Sequence, residues 1–521
     1  MSKIIIYDTT LRDGSQTEGV SYTVADKIKI TEKLDELGIH YIEGGWPGSN
    51  PKDKEYFELM KSRKLTTSKL AAFGSTRRAN IKACDDANLK DIIASATPTV
   101  TIFGKSWDLH VTDVIKTTLA ENLLMIEDSV NFLKSQKREV FYDAEHFFDG
   151  YKDNPAYAIK TILAAQKAKA DAIILCDTNG GTLPEEITKI VKEVRKKIKV
   201  QLGIHTHNDQ DLAVANSLAA INAGCVQVQG TFNGLGERCG NADLCTIMAI
   251  LYAKMKQKSI PDGKIKFLMD AAYYISEISN YTLTNNHAFI GHSAFAHKGG
   301  VHIDAMLKNP KAYEHVNPEI VGNHRRLLTS ELAGKMPIIL KAQKMNITLD
   351  KNSSEAKAIM KELQEKEYQG YQFEGADASF ELFMKRRLKL YKPFFRLESF
   401  KVLTEKTADN KVLAHASVRL KVNGSDEMAN VEGHGPIEVL DRGLRTALKK
   451  FYPYIENVHL VDYKVRVLDT KQGTGARVRV LIESQDEHDS WTTVGVHENI
   501  IEASWEALVD AIEYKLLKSQ K

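Results

Sequence analysis

"AIILCDTNGGTLPEEITKIVKEVRKKIKVQLGIHTH", residues 172–207, contains two short apolar, β-branched runs, AIILCD (172–177) and VQLGIHTH (200–207), separated by a longer segment of helical pattern. Pro184 stands near the start of that segment, where a missing N–H costs nothing. A strand, a helix and a second strand in this order form the unit from which parallel sheets are built. The same alternation runs outward in both directions. Further strand candidates are KIIIYD (3–8), YIEGG (41–45), KLAAFG (69–74), DIIASA (91–96), EVFYDAE (139–145) and VQVQGTF (226–232), which makes eight. Helical patterns fall at about 23–38, 112–137, 155–169, 211–223 and 241–256, the first with Thr23 as N-cap, Val24, Ile28, Leu34 and Leu37 near one face, and Gly38 as stop. Eight strands with intervening helices over about 260 residues indicate a (β/α)8 TIM barrel, an α/β fold whose site lies at the C-terminal ends of the strands. A doubly wound open sheet is the rival.

The polar residues at those strand ends are Arg12 and Asp13, Glu43, Glu145, Asp177 and Thr178, His205 and His207, and Asn233 and Asn241. Helix capping would require only Asp, Thr and Asn; paired histidines and an arginine ask for another explanation. In GIHTHND the two histidines sit at i and i+2, so on an extended strand both point to one face and Thr206 to the other. With Asp13 from the first strand they offer two imidazole nitrogens and a carboxylate, a ligand set for a divalent cation that leaves positions open for catalysis. Zn, Mn, Co and Mg all suit these ligand types. Asn241 is either a fourth ligand, direct or through water, or the N-cap of the helix starting near it. Arg12 beside Asp13 would place a fixed cation near whatever oxygen the metal polarises.

The 521 residues are 43% hydrophobic and 27% charged, the balance of a globular protein with a large core. Lys plus Arg exceeds Asp plus Glu only by 71 − 68 = 3, with no long run of one sign, so neither nucleic acid nor a membrane surface is indicated as partner. Five scattered cysteines (84, 176, 225, 239, 245), the absence of a secretory leader pattern in MSKIIIYD and the absence of a long apolar run point to a reduced, cytoplasmic setting.

DTTLRDGSQ (8–16), GIHTHND and FNGLGERCGNADL (232–244), in this order and on these strands, resemble the metal-dependent barrels that carry out Claisen condensations of α-keto acids, the 2-isopropylmalate, homocitrate and citramalate synthases. The resemblance continues through HKGGVHIDAMLKNPKAYEHVNPEIVGN (297–323), VEGHGPIEVLDRGLRTAL and WTTVGVHENIIEASWEAL, and so covers essentially the whole chain. CDTNGGTLPEEI and EGGWPGSNPKD are most similar to the long, citramalate-forming members. It implies that acetyl-CoA loses a methyl proton, that its enolate attacks the ketone of an α-keto acid, and that the thioester is hydrolysed. It further implies that Asp13, His205, His207 and Asn241 surround the metal, that Arg12 steadies the keto oxygen and that Thr178 holds the substrate carboxylate. Glu145, or Asp143 two residues earlier, would lie near the acetyl group. His302 and Tyr313 would be brought over the barrel mouth by the neighbouring subunit of a homodimer to serve proton transfer.

Trp46, Phe73 and Tyr142 lie at or near strand ends where the keto acid's side chain would point, and bulky rings there favour a methyl over an isopropyl group, with Tyr142 as a substrate contact; core filling is the equal alternative for these rings, and pyruvate as acceptor follows mostly from the similarity to the citramalate-forming members. The expected layout is a catalytic barrel at 1–280, linker subdomains at 281–388 packing on a barrel, and a C-terminal α+β regulatory domain at 389–521. By the resemblance that last domain binds an end-product amino acid, with isoleucine as effector. GHG (433–435) and GTG (473–475) read as simple turns. A 2-isopropylmalate synthase, a C–C lyase on the same barrel and a non-catalytic amino-acid sensor are the alternatives. The C-terminal domain argues against the lyase, and the intact polar constellation against the sensor.

Overall fold

The structure, a computed structural model, describes residues 3–328, 353–468 and 475–519 together with Ile339 and Ala342. These form two compact units, Met1–Phe295 with His315–Arg325, and Ala296–Glu314 with Arg326–Lys521.

The first unit is a closed parallel barrel of β1 (Ile5–Asp8), β2 (Tyr41–Gly45), β3 (Lys69–Ser75), β4 (Thr99–Lys105), β5 (Glu139–Glu145), β6 (Ala172–Asp177), β7 (Gln201–Thr206) and β8 (Gln227–Gly230). β1 pairs with β8 in the register Ile5↔Gln227 to Asp8↔Gly230, which closes the cylinder and excludes the open sheet. Its helices include α1 (Val24–Leu37), α2 (Pro51–Met60), α3 (Ala87–Ala94), α4 (Leu119–Ser135), α5 (Phe147–Asp153), α6 (Pro155–Lys167), α7 (Pro184–Arg195), α8 (Ala213–Ala223) and α9 (Leu244–Ala253). α1 starts and stops on local signals. Thr23 accepts from Asp26 N–H while Asp26 accepts from Thr23 N–H, and Gly38 ends the helix at φ 94°, the left-handed conformation that glycine adopts without a Cβ penalty.

One expected strand is a helix. DIIASA falls in α3 and the turn after it, where Asp86 caps the helix by accepting from Leu89 N–H and Leu89 and Ile92 form the buried stripe. The fourth strand is the next apolar run, TVTIFGK, which follows Pro98 and is rich in β-branched residues. The helix expected from about 112 starts at Leu119, behind a π-turn at His110–Val114.

Side chains alternate between two cores. Val140, Tyr142 and Ala144 of β5, Ile6 of β1 and Leu202 and Ile204 of β7 face outward, where they share one large apolar cluster with the helices. Tyr7, Tyr41, Ala71, Phe141, Ala172, Ile174 and Cys176 fill the barrel interior. The parity that sends Tyr142 outward sends Asp143 inward.

In the second unit the strands Phe395–Lys406, Val412–Val422 and Ser425–Gly433 form one antiparallel sheet, and His459–Val467, Val478–Gln485 and Ser490–His497 another. Helices Pro436–Leu448 and Ile500–Lys518 bury Leu440, Leu444, Leu508 and Ile512 among Val418, Leu420, Val480 and Ile482. The charged helix Ser354–Gln369 buries Ala356, Ile359, Met360 and Leu363 in a cluster with Phe380 of helix Asp377–Arg387 and with Val494 and Val496. This helix therefore shares a core with the second antiparallel sheet, because its stripe of four apolar side chains needs a cover. GHG is a turn whose Gly435 precedes the helix at Pro436; Gly473 and Thr474 of GTG lie outside the described residues.

Candidate active site

The residues at the C-terminal ends of the strands converge on a cavity of about 240 Å³ in the barrel mouth. Asp13 follows β1 on a turn in which its own N–H donates to Thr9 O at 2.9 Å. His205 and His207 close β7 on the inner face, while Thr206 points outward and donates to Ala213 O of α8. Ligand atoms of Asp13, His205 and His207 all lie within 4.8 Å of one another, and all three residues are buried. Burial opposes ionisation of Asp13, yet Arg12 and a hydrogen bond from His205 hold its carboxyl well below the ordinary range. Burial, reinforced by His205, pushes His207 down to about 4, leaving a neutral imidazole with a lone pair to offer.

The donor set fits a divalent cation. His207 Nδ1 and Asn241 Oδ1 are buried without a hydrogen-bond partner. An unsatisfied buried polar atom costs about 1–3 kcal/mol, which coordination would remove. Asn241 pairs with His207 through an isolated β-bridge, and the N-cap of α9 is Asp243 instead. The capping reading of Asn241 is thereby excluded.

Arg12 is held from several sides. Its Nε donates to Glu43 Oε1 at 2.6 Å, its Nη1 lies 3.4 Å from Asp13 Oδ1, and its guanidinium carbon stands 3.8 Å over the Phe73 ring. Glu43 in turn accepts from Tyr7 Oη at 2.5 Å and Thr9 Oγ1 at 2.6 Å. Phe73 stacks on Phe103, and Trp46 meets both rings edge-on, so three aromatic side chains wall one side of the cavity. Trp46 is itself fixed by its indole N–H, which donates to Asn88 Oδ1 at 2.6 Å.

Thr178 and Glu145 line the same cavity. The Thr178 hydroxyl accepts from His146 N–H at 2.9 Å, and Glu145 pairs with Lys105. Asp143 also lines it, one of its oxygens held by Gln229 at 3.1 Å; burial and the nearby Glu43 push its carboxyl up to about 7. Tyr142 does not reach the cavity. It lies on the outer face of β5, packed toward the helices, and the expected substrate contact at this residue is corrected by strand parity. His302, in helix Gly300–Lys308, and Tyr313 belong to the second unit, where their exposed rings stack with centroids 4.2 Å apart.

Phe103 and Arg238, which line the mouth, and Gln229, buried beside His205, carry no role from sequence reasoning, and Asp143 enters there only as the alternative to Glu145. Phe103 lies in a strand that the sequence reading assigns to DIIASA instead, and polar residues alternating with apolar ones, as in VQVQG, ordinarily mark a solvent face. Arg238, from GERCGN, bridges loops by a two-pronged pair with Asp209 at 2.7 and 2.8 Å and a bond to Thr178 O at 2.8 Å. All five cysteines are free, and among the described residues no helix is long and apolar enough to cross a membrane.

Carboxylate and imidazole donors around an open position, with a fixed guanidinium beside them at the mouth of a parallel barrel, define a metal-dependent barrel enzyme. Residues 3–272 match the HMGL-like family model, 289–369 the homocitrate synthase post-HMGL domain-like model, and 374–516 the LeuA allosteric (dimerisation) domain model. Similar proteins include the (R)-citramalate synthases of Geobacter sulfurreducens, 54% identical over 100% of this chain and 99% of that one, and of Aquifex aeolicus, 53% identical over the same shares. The 2-isopropylmalate synthase of Methanocaldococcus jannaschii is 31% identical over 100% of this chain and 96% of its own. The chain belongs to the HMGL-like family, in its citramalate synthase branch.

Proposed function

We propose that this enzyme condenses acetyl-CoA with pyruvate and water to give (R)-citramalate and CoA. The observation that carries the reading is the convergence, in one cavity, of the Asp13–His205–His207 cluster, the Arg12 guanidinium and the wall of Trp46, Phe73 and Phe103. Full-length kinship with proteins named (R)-citramalate synthase supports it.

A divalent cation held by Asp13, His205, His207 and Asn241 would supply a Lewis acid for the keto group. Arg12, immobilised by Glu43, offers a fixed positive charge to the keto oxygen, on which negative charge grows as the new carbon–carbon bond forms. The hydroxyl of Thr178 accepts from His146 N–H and so keeps its own proton to donate to the pyruvate carboxylate. The aromatic wall limits the space for the acceptor's alkyl group to a methyl. Glu145 attends the acetyl group, and His302 with Tyr313, supplied by the neighbouring subunit of a homodimer, move the proton removed from the acetyl methyl. Isoleucine, bound by the C-terminal LeuA-type part, is the effector; the reading rests on the allosteric domain model matched there.

Release of CoA, followed with a thiol reagent, should require an α-keto acid, with pyruvate turned over in preference to 2-oxoisovalerate. Preference for 2-oxoisovalerate would replace this reading with 2-isopropylmalate synthesis.

A further inference from the structure

We propose that Gln229 and Asp143 are positioning residues that fix the tautomer of His205 and thereby set the affinity of the barrel mouth for a divalent cation. The inference rests on the reading of Asp13, His205 and His207 as ligands.

His205 Nδ1 lies 2.9 Å from Gln229 Oε1, and Gln229 Nε2 lies 3.1 Å from Asp143 Oδ1. The three side chains form a chain across the barrel interior from β7 to β8 to β5, and all are buried: Gln229 is 0% exposed, Asp143 4% and His205 5%. No solvent competes for these hydrogen bonds, so their direction follows from the chemistry of one end. Gln229 donates its amide NH2 to Asp143 Oδ1, which accepts whether or not the carboxyl is ionised, and so turns its carbonyl oxygen to His205. The imidazole consequently carries a hydrogen on Nδ1, and Nε2, which donates to Asp13 Oδ2 at 3.2 Å, is the nitrogen whose proton a bound cation would replace. A glutamine without an anchor could turn its amide over and present N–H to Nδ1, which would leave the imidazole's one hydrogen on Nε2 and block that nitrogen as a ligand. Partners of this kind are worth about 10–100-fold in metal affinity.

The test is titration of the full-length, metal-free protein with Co2+ alone, followed by calorimetry and by the visible absorption of the bound ion. Gln229→Met keeps the volume and removes the acceptor; its Kd for Co2+ should rise about 10–100-fold. The double variant Gln229→Glu with Asp143→Asn exchanges amide and carboxylate, so that His205 still donates to residue 229 and residue 143 now donates to it; affinity should return to within about threefold of the wild type. His207→Ala is the comparator. If Gln229→Met binds Co2+ as the wild type does while His207→Ala does not, the positioning role is wrong and the ligand set stands. If neither variant loses affinity, the ligand set itself is wrong. Should Gln229→Met fail to fold, the double variant decides: affinity lost together with the wild-type absorption overturns the proposal, because the hydrogen-bond direction at His205 has been preserved.

Discussion

Arg12 Nε donates to Glu43 Oε1 at 2.6 Å, and Glu43 is wholly buried behind it. The carboxylate accepts from three donors, Tyr7, Thr9 and Arg12, so it joins β1 and the turn after it to β2. Removing one partner of a buried pair costs about 3–5 kcal/mol, because the other charge is left uncompensated. Glu43→Gln should destabilise the barrel by about 3 kcal/mol and lower kcat/KM at least tenfold. Urea unfolding and initial rates measure the two effects; a variant as stable and as fast as the wild type would show that Arg12 needs no anchor.

His207→Ala should lower metal affinity more than about 100-fold, beyond what a supporting partner is worth, since neither remaining ligand can replace the lost imidazole nitrogen. Full turnover by this variant at micromolar metal would refute the ligand set.

Trp46→Ala removes one ring of the aromatic wall. One or two extra methyl groups of the acceptor then gain room, and each is worth about 1–3 kcal/mol in an apolar pocket. The ratio of kcat/KM for pyruvate to that for 2-oxoisovalerate should fall by about 10–100-fold. An unchanged ratio would place the acceptor's alkyl group elsewhere.

If isoleucine is held by the C-terminal LeuA-type part, as proposed, it should bind the His207→Ala variant with the affinity it has for the wild type, because that part contributes no residue to the Asp13–His205–His207 cluster. Calorimetry on metal-free protein tests this. Linkage requires that any coupling between metal and isoleucine be equal in both directions, so a large loss of isoleucine affinity in the variant would put the two sites in one place or in one switch.

Glu513 supplies a pH dependence in the second unit. It is 1% exposed and accepts from Phe394 N–H at 3.1 Å, and burial, only partly opposed by Arg386, pushes its carboxyl up to about 7. The folded state then binds more protons than the unfolded state between the ordinary carboxyl range and about pH 7, so this group's contribution to stability falls as pH rises through that window. Glu513→Gln keeps the acceptor and cannot ionise. The stability of the variant relative to the wild type should therefore grow from pH 5 to pH 8 in urea unfolding; a difference that is flat in pH would show that Glu513 does not titrate in this range.

The period-two geometry of GIHTH was enough to put His205 and His207 on one face, and the alternation of strands with helical patterns was enough to announce the barrel. The failures have physical causes. Ile92 and Ile93 in DIIASA look like part of a strand, because a short apolar run carries no period of its own, and only the Asp86 cap marks it as helix. Both faces of β5 are buried, so Phe141, Tyr142 and Asp143 show no alternation from which to choose the inward residue. In VQVQG the alternation is plain, but the polar face is the inner one; Gln229 was invisible as a site residue because polar alternation ordinarily marks the solvent side.

Closure of the barrel through β1 and β8 also has a consequence for synthesis. The strand made first obtains its second neighbour only when residues 227–230 have left the ribosome. At about 5–20 residues per second that interval is roughly 11–45 s, during which an apolar edge carrying Ile5, Ile6 and Tyr7 has unpaired N–H and C=O groups. Nascent chains of this protein thus pass through a long interval with an open sheet edge, and the interval ends with the arrival of the same strand that brings Gln229 beside His205.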